Sequence, residues 1–400
     1  MKLPVLFLLL TVVIDAMGIG LIIPVMPDLI REVSGGGLSE AALWGGVLST
    51  IFAVMQFLCA PLLGHLSDRF GRRPVLLVTL AIVMADYALL GLAGTIALLV
   101  AARALGGLAS ATQSTASAAM ADLSPPDKRA QGFGLIGAAF GLGFIAGPLL
   151  GGLLGELGTR APFWAAAGLC ALNWVLGLLT FPETLTEKAD RFHWSRANPF
   201  GAFYALTRLP GIARSLVVIF LYHLAFAVYP LVWAYFTTAR YGWDAGLIGL
   251  SLAIFGLSGF VVQAGLIRLL IRQMGERGTA IFGLSFLAIA FAATAVVPNT
   301  ALALTLVPLA ALGGCFGPAA TAMLSQGLGP NRQGLLQGVL TSTAAIATIV
   351  SPLLMTTSFA WATAPERTTP FAGAPFVVAL GLILIALALF LSQSRQNAVA

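Results

Sequence analysis

The chain has 400 residues, 59% of them hydrophobic and only 9% charged, with a net charge of +6 and a mean hydropathy of +0.96. Soluble domains carry about 25% charged residues, so this chain lacks the polar surface that a soluble enzyme or a soluble nucleic-acid binder needs. It is a polytopic membrane protein by composition, in which each crossing takes about 20 apolar residues.

Twelve apolar runs meet that length: 5–27, 41–63, 75–94, 96–121, 131–155, 161–182, 214–238, 246–271, 279–297, 300–324, 334–358 and 371–392. They are too long, and too free of strict alternation, for a β-barrel. The expected fold class is therefore all-α, with twelve transmembrane helices. The first run mimics a signal peptide, but Asp15 interrupts it and no small-residue cleavage site follows its apolar core, so it reads as a retained span. Cys59, Cys170 and Cys315 all lie inside runs and read as small packing residues, not as disulfides or metal ligands.

Between the second and third runs stands Gly64-His-Leu-Ser-Asp-Arg-Phe-Gly-Arg-Arg-Pro74. It crowds Asp68, Arg69, Arg72 and Arg73 into a short turn, which reads as a fixed hairpin outside the bilayer. An N-terminus on the inside puts this turn, Lys128, Arg129, Arg214, Arg268, Arg272, Arg277 and Arg332 in the cytoplasm. Arg31, Arg160, Arg240 and Arg367 fall on the other side. That asymmetry orients both termini to the cytoplasm, and it assigns the positive charge to topology, leaving no role for nucleic acid.

A polar stretch at 183–213 divides the runs six and six. The expected domains are a six-helix bundle at 1–182, a cytoplasmic linker at 183–213 and a second bundle at 214–400. The halves align at an offset of 204 residues, which sets Gly275 on Gly71, Arg277 on Arg73, Asn331 on Asp127, Arg332 on Lys128, Gly338 on Gly134, Pro352 on Pro148 and Gly249 on Gly45. Duplicated, pseudo-symmetric bundles with substrate held midway between them are a transporter plan.

Ionisable groups inside spans cost roughly 2.5–3.5 kcal/mol at a helix centre, which makes each a functional candidate. Asp15, Asp86, Arg103 and His223 are such groups, and Asp122 ends the fourth span. Asp15 and Arg103 are the natural pair, either as a proton-coupling switch or as a structural ion pair. Gly106, Gly107, Ser110, Gln113, Ser114 and Ser117 continue a helical stripe from Arg103, suited either to close helix approach or to a wet path. Asp86 and Tyr87 form an acid beside an aromatic hydroxyl, either for substrate or for structure. Gln113, Tyr87, His223, Trp233 and Gln263 are the candidate substrate contacts. The fifth run carries Gly143, Gly147, Pro148, Gly151 and Gly152, which allow a close, bendable helix crossing.

No P-loop, zinc-protease helix or G-x-S-x-G elbow occurs. The chain is not expected to be an enzyme or to need a cofactor. The proton gradient is the expected driver, at about 2.3 kcal/mol per charge per 100 mV.

These residues carry a resemblance. The Gly64–Pro74 segment is similar to the loop signature of the major facilitator superfamily. The glycines from Gly134 to Gly152 resemble its antiporter signature, and Arg103 the arginine of its fourth-span motif. Asp15-Ala-Met-Gly-Ile-Gly, with Pro24 and Pro27, resembles the first span of twelve-span drug:proton antiporters. Within them, Asp86-Tyr87-Ala, Ala161-Pro-Phe, Asn173, Pro182-Glu183, Asn198-Pro199, Trp233 and Trp243-Asp244 are similar to the tetracycline efflux pumps. The resemblance implies the major facilitator fold and proton-coupled export of an amphiphilic drug across the inner membrane by a monomer. It implies roles in activity for Asp15, Asp86 and Arg103, and a cytoplasmic gate at Gly64, Asp68 and Arg72, with Asp122 as partner of the loop arginine. The sequence departs in two places, with Leu287 where those pumps carry a ninth-span acid and Gly259 where they carry an eighth-span histidine. A sugar, amino-acid or other metabolite exporter on the same scaffold and a non-transporting membrane sensor are the alternative readings.

Overall fold

The computed structural model describes residues 3–110, 112–186, 212–326 and 332–392. Most of the expected linker, with Asn198-Pro199, and the repeat position Asn331 lie outside the described residues. Every regular element among the described residues is helical. Eleven stretches have the length and apolarity to cross a bilayer, and one of them, Ala245–Val296, contains both the eighth and the ninth expected spans. Its helical backbone is interrupted at Gly275, where φ is 69° and ψ 176°.

The chain divides into two compact units, Met1–Gly37 with Leu48–Pro199 and Asp244–Ala253, and Leu38–Val47 with Phe200–Trp243 and Ile254–Ala400. In chain order the helices of the first half are α1 (Leu3–Ile22), α2 (Met26–Ser34), α3 (Leu38–Phe70), α4 (Arg72–Leu92), α5 (Ile96–Ala109), α6 (Thr112–Leu123), α7 (Arg129–Leu157) and α8 (Ala161–Thr180). Those of the second half are α9 (Ala213–Phe226), α10 (Val228–Tyr241), α11 (Ala245–Val261), α12 (Ile267–Val296), α13 (Thr300–Ala311), α14 (Phe316–Gln326), α15 (Gln333–Ala362) and α16 (Ala374–Leu391).

Three expected spans are each built from two helices. The fourth is interrupted at Ser110, between α5 and α6, and the seventh is only loosened at Ala227, between α9 and α10, where φ −63° and ψ −12° stay in the helical region. The tenth passes through a 3-10 turn at Leu312–Cys315, between α13 and α14. The first run also ends earlier than expected, at Ile22, because Pro24 lacks an amide donor and Pro27 opens α2 instead. The Gly64–Pro74 turn is far tighter than its length suggests. Gly64 to Phe70 are the last turns of α3, Arg72 starts α4, and Gly71 alone is non-helical, with φ 112° and ψ 157°. Only glycine adopts that conformation without strain. The charged residues extend the helix past the apolar run because water can solvate them there.

In the first unit α1 packs most extensively on α7. Gly143, Gly147 and Gly151 recur every fourth residue and present one bare face of α7 to the α1 backbone. A Cβ on Gly147 would lie 2.5 Å from the Met17 carbonyl oxygen and 2.9 Å from the Cα of Gly20. Gly152 turns to another helix: a Cβ there would lie 2.5 Å from the Ala245 carbonyl oxygen and 3.1 Å from the Cα of Gly249, on α11. The second unit contains the matching contact. Gly46 of α3 seats on α15, where a Cβ would run into Thr356 and approach the Pro352 carbonyl oxygen to 3.2 Å. Ser39 Oγ donates to the Thr363 carbonyl at 2.8 Å and extends that seam. Pro148 and Pro352, Gly152 and Thr356, and Gly249 and Gly45 (the neighbour of Gly46) each differ by the 204-residue offset.

Replacing Gly147 with Val should destabilise the protein by roughly 1–3 kcal/mol through overpacking. Gly141→Ala, on the same helix, adds a methyl group that meets nothing within 4 Å and should be near neutral. Thermal unfolding in detergent compares the two.

Candidate functional site

Asp86 and Tyr87 are neighbours on α4 and contact different helices. Asp86 sits against Gly106 of α5, where a Cβ would come within 2.9 Å of the carboxyl carbon. Tyr87 lies over Gly18 of α1, where a Cβ would come within 2.9 Å of the phenol Cζ. Each glycine is one turn from a charged residue, Gly106 from Arg103 and Gly18 from Asp15. The bare backbone lets these side chains reach between helices.

Arg103 pairs with Asp86, not with Asp15 as its position first suggests. Its Nη2 donates to both carboxylate oxygens, at 2.7 and 2.5 Å, and both side chains are buried. The guanidinium also lies over the Phe52 ring, 5.4 Å from its centroid, a cation–π contact that suits a desolvated cation. Arg103 Nε has no hydrogen-bond partner among the described residues. Asp15 is half-buried and makes no ion pair among the described residues. Beside this cluster Asn173 Nδ2 donates to Thr11 Oγ1 at 3.1 Å, which satisfies two buried polar groups on α8 and α1.

The second cluster surrounds the Gly71 turn. Arg72 bonds Asp68 at 2.6 Å, Asp122 at 3.2 Å and Ser67 Oγ at 3.0 Å. Asp122 ends α6, so the arginine ties the turn to the fourth span. Arg73 Nη2 donates to the Leu178 carbonyl on α8 at 2.9 Å. Glu183 completes the cluster, a role the sequence did not suggest. Its carboxylate accepts from the backbone N–H groups of Arg72 at 2.9 Å and Arg73 at 3.3 Å, and so caps the first turn of α4. Thr184 and Leu185 donate to it as well. Burial alone would raise its pKa, but the amides of Leu185, Arg72, Arg73 and Thr184 outweigh that and hold the carboxyl below the ordinary glutamate range. Gly64 faces open space on α3, with no atom near its missing Cβ.

The candidate substrate contacts are placed differently from one another. Gln113 is exposed on α6, just past the break at Ser110, and Tyr87 is buried. His223 is half-buried near the end of α9. Gln263 is exposed in a π-helical turn, Val262–Leu266, a deviation frequent at functional sites. Trp233 does not fit a binding surface. It is only 2% exposed and packs against Tyr229, Phe236, Trp243 and Phe376 in an aromatic core. Tyr222 is also core, its hydroxyl donating to the Gly313 carbonyl at 3.4 Å. Leu287 is fully buried and fills the space beside Gly313.

Residues 8–352 match the family model of the Major Facilitator Superfamily. The chain is 37% identical to a tetracycline resistance protein, class C, from Escherichia coli, over 94% of this chain and 93% of that protein. Among solved structures it is similar to the human organic anion transporter MFSD10, at 26% identity and a TM-score of 0.70, covering 97% of this chain and 99% of that one. The nucleoside transporter NupG shares the fold at a TM-score of 0.80 and 13% identity, over 98% and 99% of the two chains. The chain belongs to the major facilitator superfamily.

Alanine at either Arg103 or Asp86 leaves a buried charge unpaired and should cost about 3–5 kcal/mol. Replacing both, Arg103→Met with Asp86→Leu, should cost less than either single change. Thermal unfolding of the three variants reads the difference. The Glu183 tie has its own pH signature. Its folded pKa is depressed, so its stabilisation is present above the unfolded value of about 4.5 and is lost as pH falls through the folded value. Glu183→Gln should show a shallower loss of melting temperature on acidification than the unsubstituted protein.

Proposed function

We propose that this member of the major facilitator superfamily exports an amphiphilic drug across the cell inner membrane in exchange for protons, with tetracycline as the first compound to test. The observation that carries the reading is the similarity, at 34–37% identity over most of the chain, to tetracycline resistance proteins. The distribution of basic residues supports a cytoplasmic side for both termini and the Gly71 turn, and in this reading Gly64, Asp68, Arg72 and Asp122 form the cytoplasmic gate. The protein works as a monomer without a cofactor.

The charged cluster supports proton exchange. Arg103 is committed to Asp86, and the two charges cancel. Asp15 has no such partner among the described residues, and an ionised acid inside a span is costly. Asp15 is therefore the group that gains a proton when it faces the outside and releases it toward the cytoplasm. Tyr87 lies beside its helix, so substrate that displaces Tyr87 also disturbs the surroundings of Asp15. Asp86 and Arg103 set the local field in which Asp15 titrates.

Irregular turns within the spans support a binding role for the side chains beside them, each within its own unit. Transporters use interrupted helices at their binding sites. Gln113 and His223 flank the turns at Ser110 and Ala227, and with Tyr87 and Gln263 they are the substrate contacts proposed here. Leu287 and Gly259 favour a second reading within drug export. A buried leucine and a glycine give a metal-chelated drug no ligand, so the preferred substrate is an amphiphile recognised by rings and amides.

Drug susceptibility in a pump-deleted host, with tetracycline in the panel, tests the export. Substrate-induced proton release from everted vesicles tests the coupling. Asp15→Asn should abolish proton-coupled transport while the protein remains folded, and normal coupled transport by that variant would sink the assignment. No flux for any drug would return the chain to the sensor reading.

A further inference from the structure

The Gly71 turn has a counterpart at Gly275, and the two share more than a glycine. Both glycines have positive φ, 112° and 69°, and each separates two helical segments. In the first half the residue after the glycine, Arg72, reaches Asp122 at the end of the fourth span. In the second half the residue after the glycine is Glu276. Its Oε1 accepts from Nε2 of Gln326, the last residue of α14, at 2.6 Å. The 204-residue offset sets Glu276 on Arg72 and Gln326 on Asp122. The second arm of each turn corresponds too. Arg73 bonds the Leu178 carbonyl on the sixth span. Arg277, its equivalent, lies over the Phe390 ring on the twelfth, 5.5 Å from the centroid.

We infer that Glu276 is a positioning residue of the transport cycle, whose hydrogen bond to Gln326 ties the Gly275 turn to the tenth span as the Arg72–Asp122 ion pair ties the Gly71 turn to the fourth. The acid has moved from the span end to the turn, and an amide donor replaces the guanidinium. Arg272 stands where the first half has Asp68, so the second half has no acid one turn before its glycine. Among the described residues the tie there is a single hydrogen bond to a carboxylate. Its strength comes from bond geometry, not from opposite charges, so it depends less on salt than its ionic counterpart. Glu276 is not among the substrate contacts or proton groups proposed above. It acts by holding the end of α14, and α14 continues the broken tenth span.

The inference rests on the transport reading, and the test separates the two. Drug efflux is measured in reconstituted vesicles, together with hydrogen-exchange protection of the last turns of α14. Glu276→Ala should lower the maximal rate about five- to tenfold, one hydrogen bond's worth. The half-saturating concentration should change by less than about twofold, because substrate contacts are untouched. Protection at the end of α14 should fall with the rate. Glu276→Gln keeps an acceptor oxygen and should retain both rate and protection. Glu276→Arg should resemble the alanine variant, and Glu276→Arg with Gln326→Asp should recover, because that pair restores the chemistry of Arg72 and Asp122. An alanine variant with full rate and protection, or a double variant no better than Glu276→Arg alone, overturns the inference. The exchange measurement needs no flux, so a protein that moves no drug fails the transport reading while the tie is still tested.

Discussion

A guanidinium inside a bilayer has to be neutralised within its own reach, and the first unit is arranged around that requirement. Arg103 is buried away from water, so an acid and a ring must come to it. Asp86 crosses from α4 over the bare backbone of Gly106, and Phe52 comes from α3. The glycine that admits the acid is as necessary as the acid itself. α1 is then held by glycines on α7, so the helix carrying Asp15 cannot drift from the cluster. Asp15 remains the one carboxyl in the cluster whose charge no cation has claimed among the described residues. The Arg103–Asp86 pair is thus settled within the first unit, and Asp15 is left outside it.

Much of the fold was legible because a bilayer imposes a length on apolar runs. The repeat was legible at Gly71 and Gly275, where a positive φ leaves little choice but glycine. The pairing of Arg103 was not. Two acids lay within reach along the sequence, and only the helix packing decides which of them the guanidinium meets. Trp233 misled for a similar reason. Amphipathic rings suit both a binding surface and a core, and α10 turns this one inward among Tyr229, Phe236 and Phe376. Glu183 was hidden because a capping carboxylate is recognised by the amides it meets, and those belong to a helix more than a hundred residues earlier. Its position directly after the sixth span, in an apolar chain, was the available signal.

The two halves keep one geometry and use different chemistry to hold it. The first tightens its turn with Asp68, Arg72, Asp122 and Glu183. The second uses a carboxylate–amide bond and a cation over a ring. The same divergence appears along the glycine seams, where Gly152 and Gly249 nearly touch but the second half places a threonine against Gly46. Backbone shape is retained across the repeat, while the side chains that fix it have been exchanged.

The glycine seams also bear on how the chain is made. The first ten residues of α3 belong to the same compact unit as α15, on which Gly46 is seated. Some 300 residues separate the two, so at ribosomal rates of about 5–20 residues per second the earlier segment waits roughly 15–60 s for its partner. Until then a bare glycine face is exposed to lipid or to whatever insertion factor is at hand. The second unit therefore cannot be completed until α15 has been made, and a chain truncated before it would leave that early face uncovered.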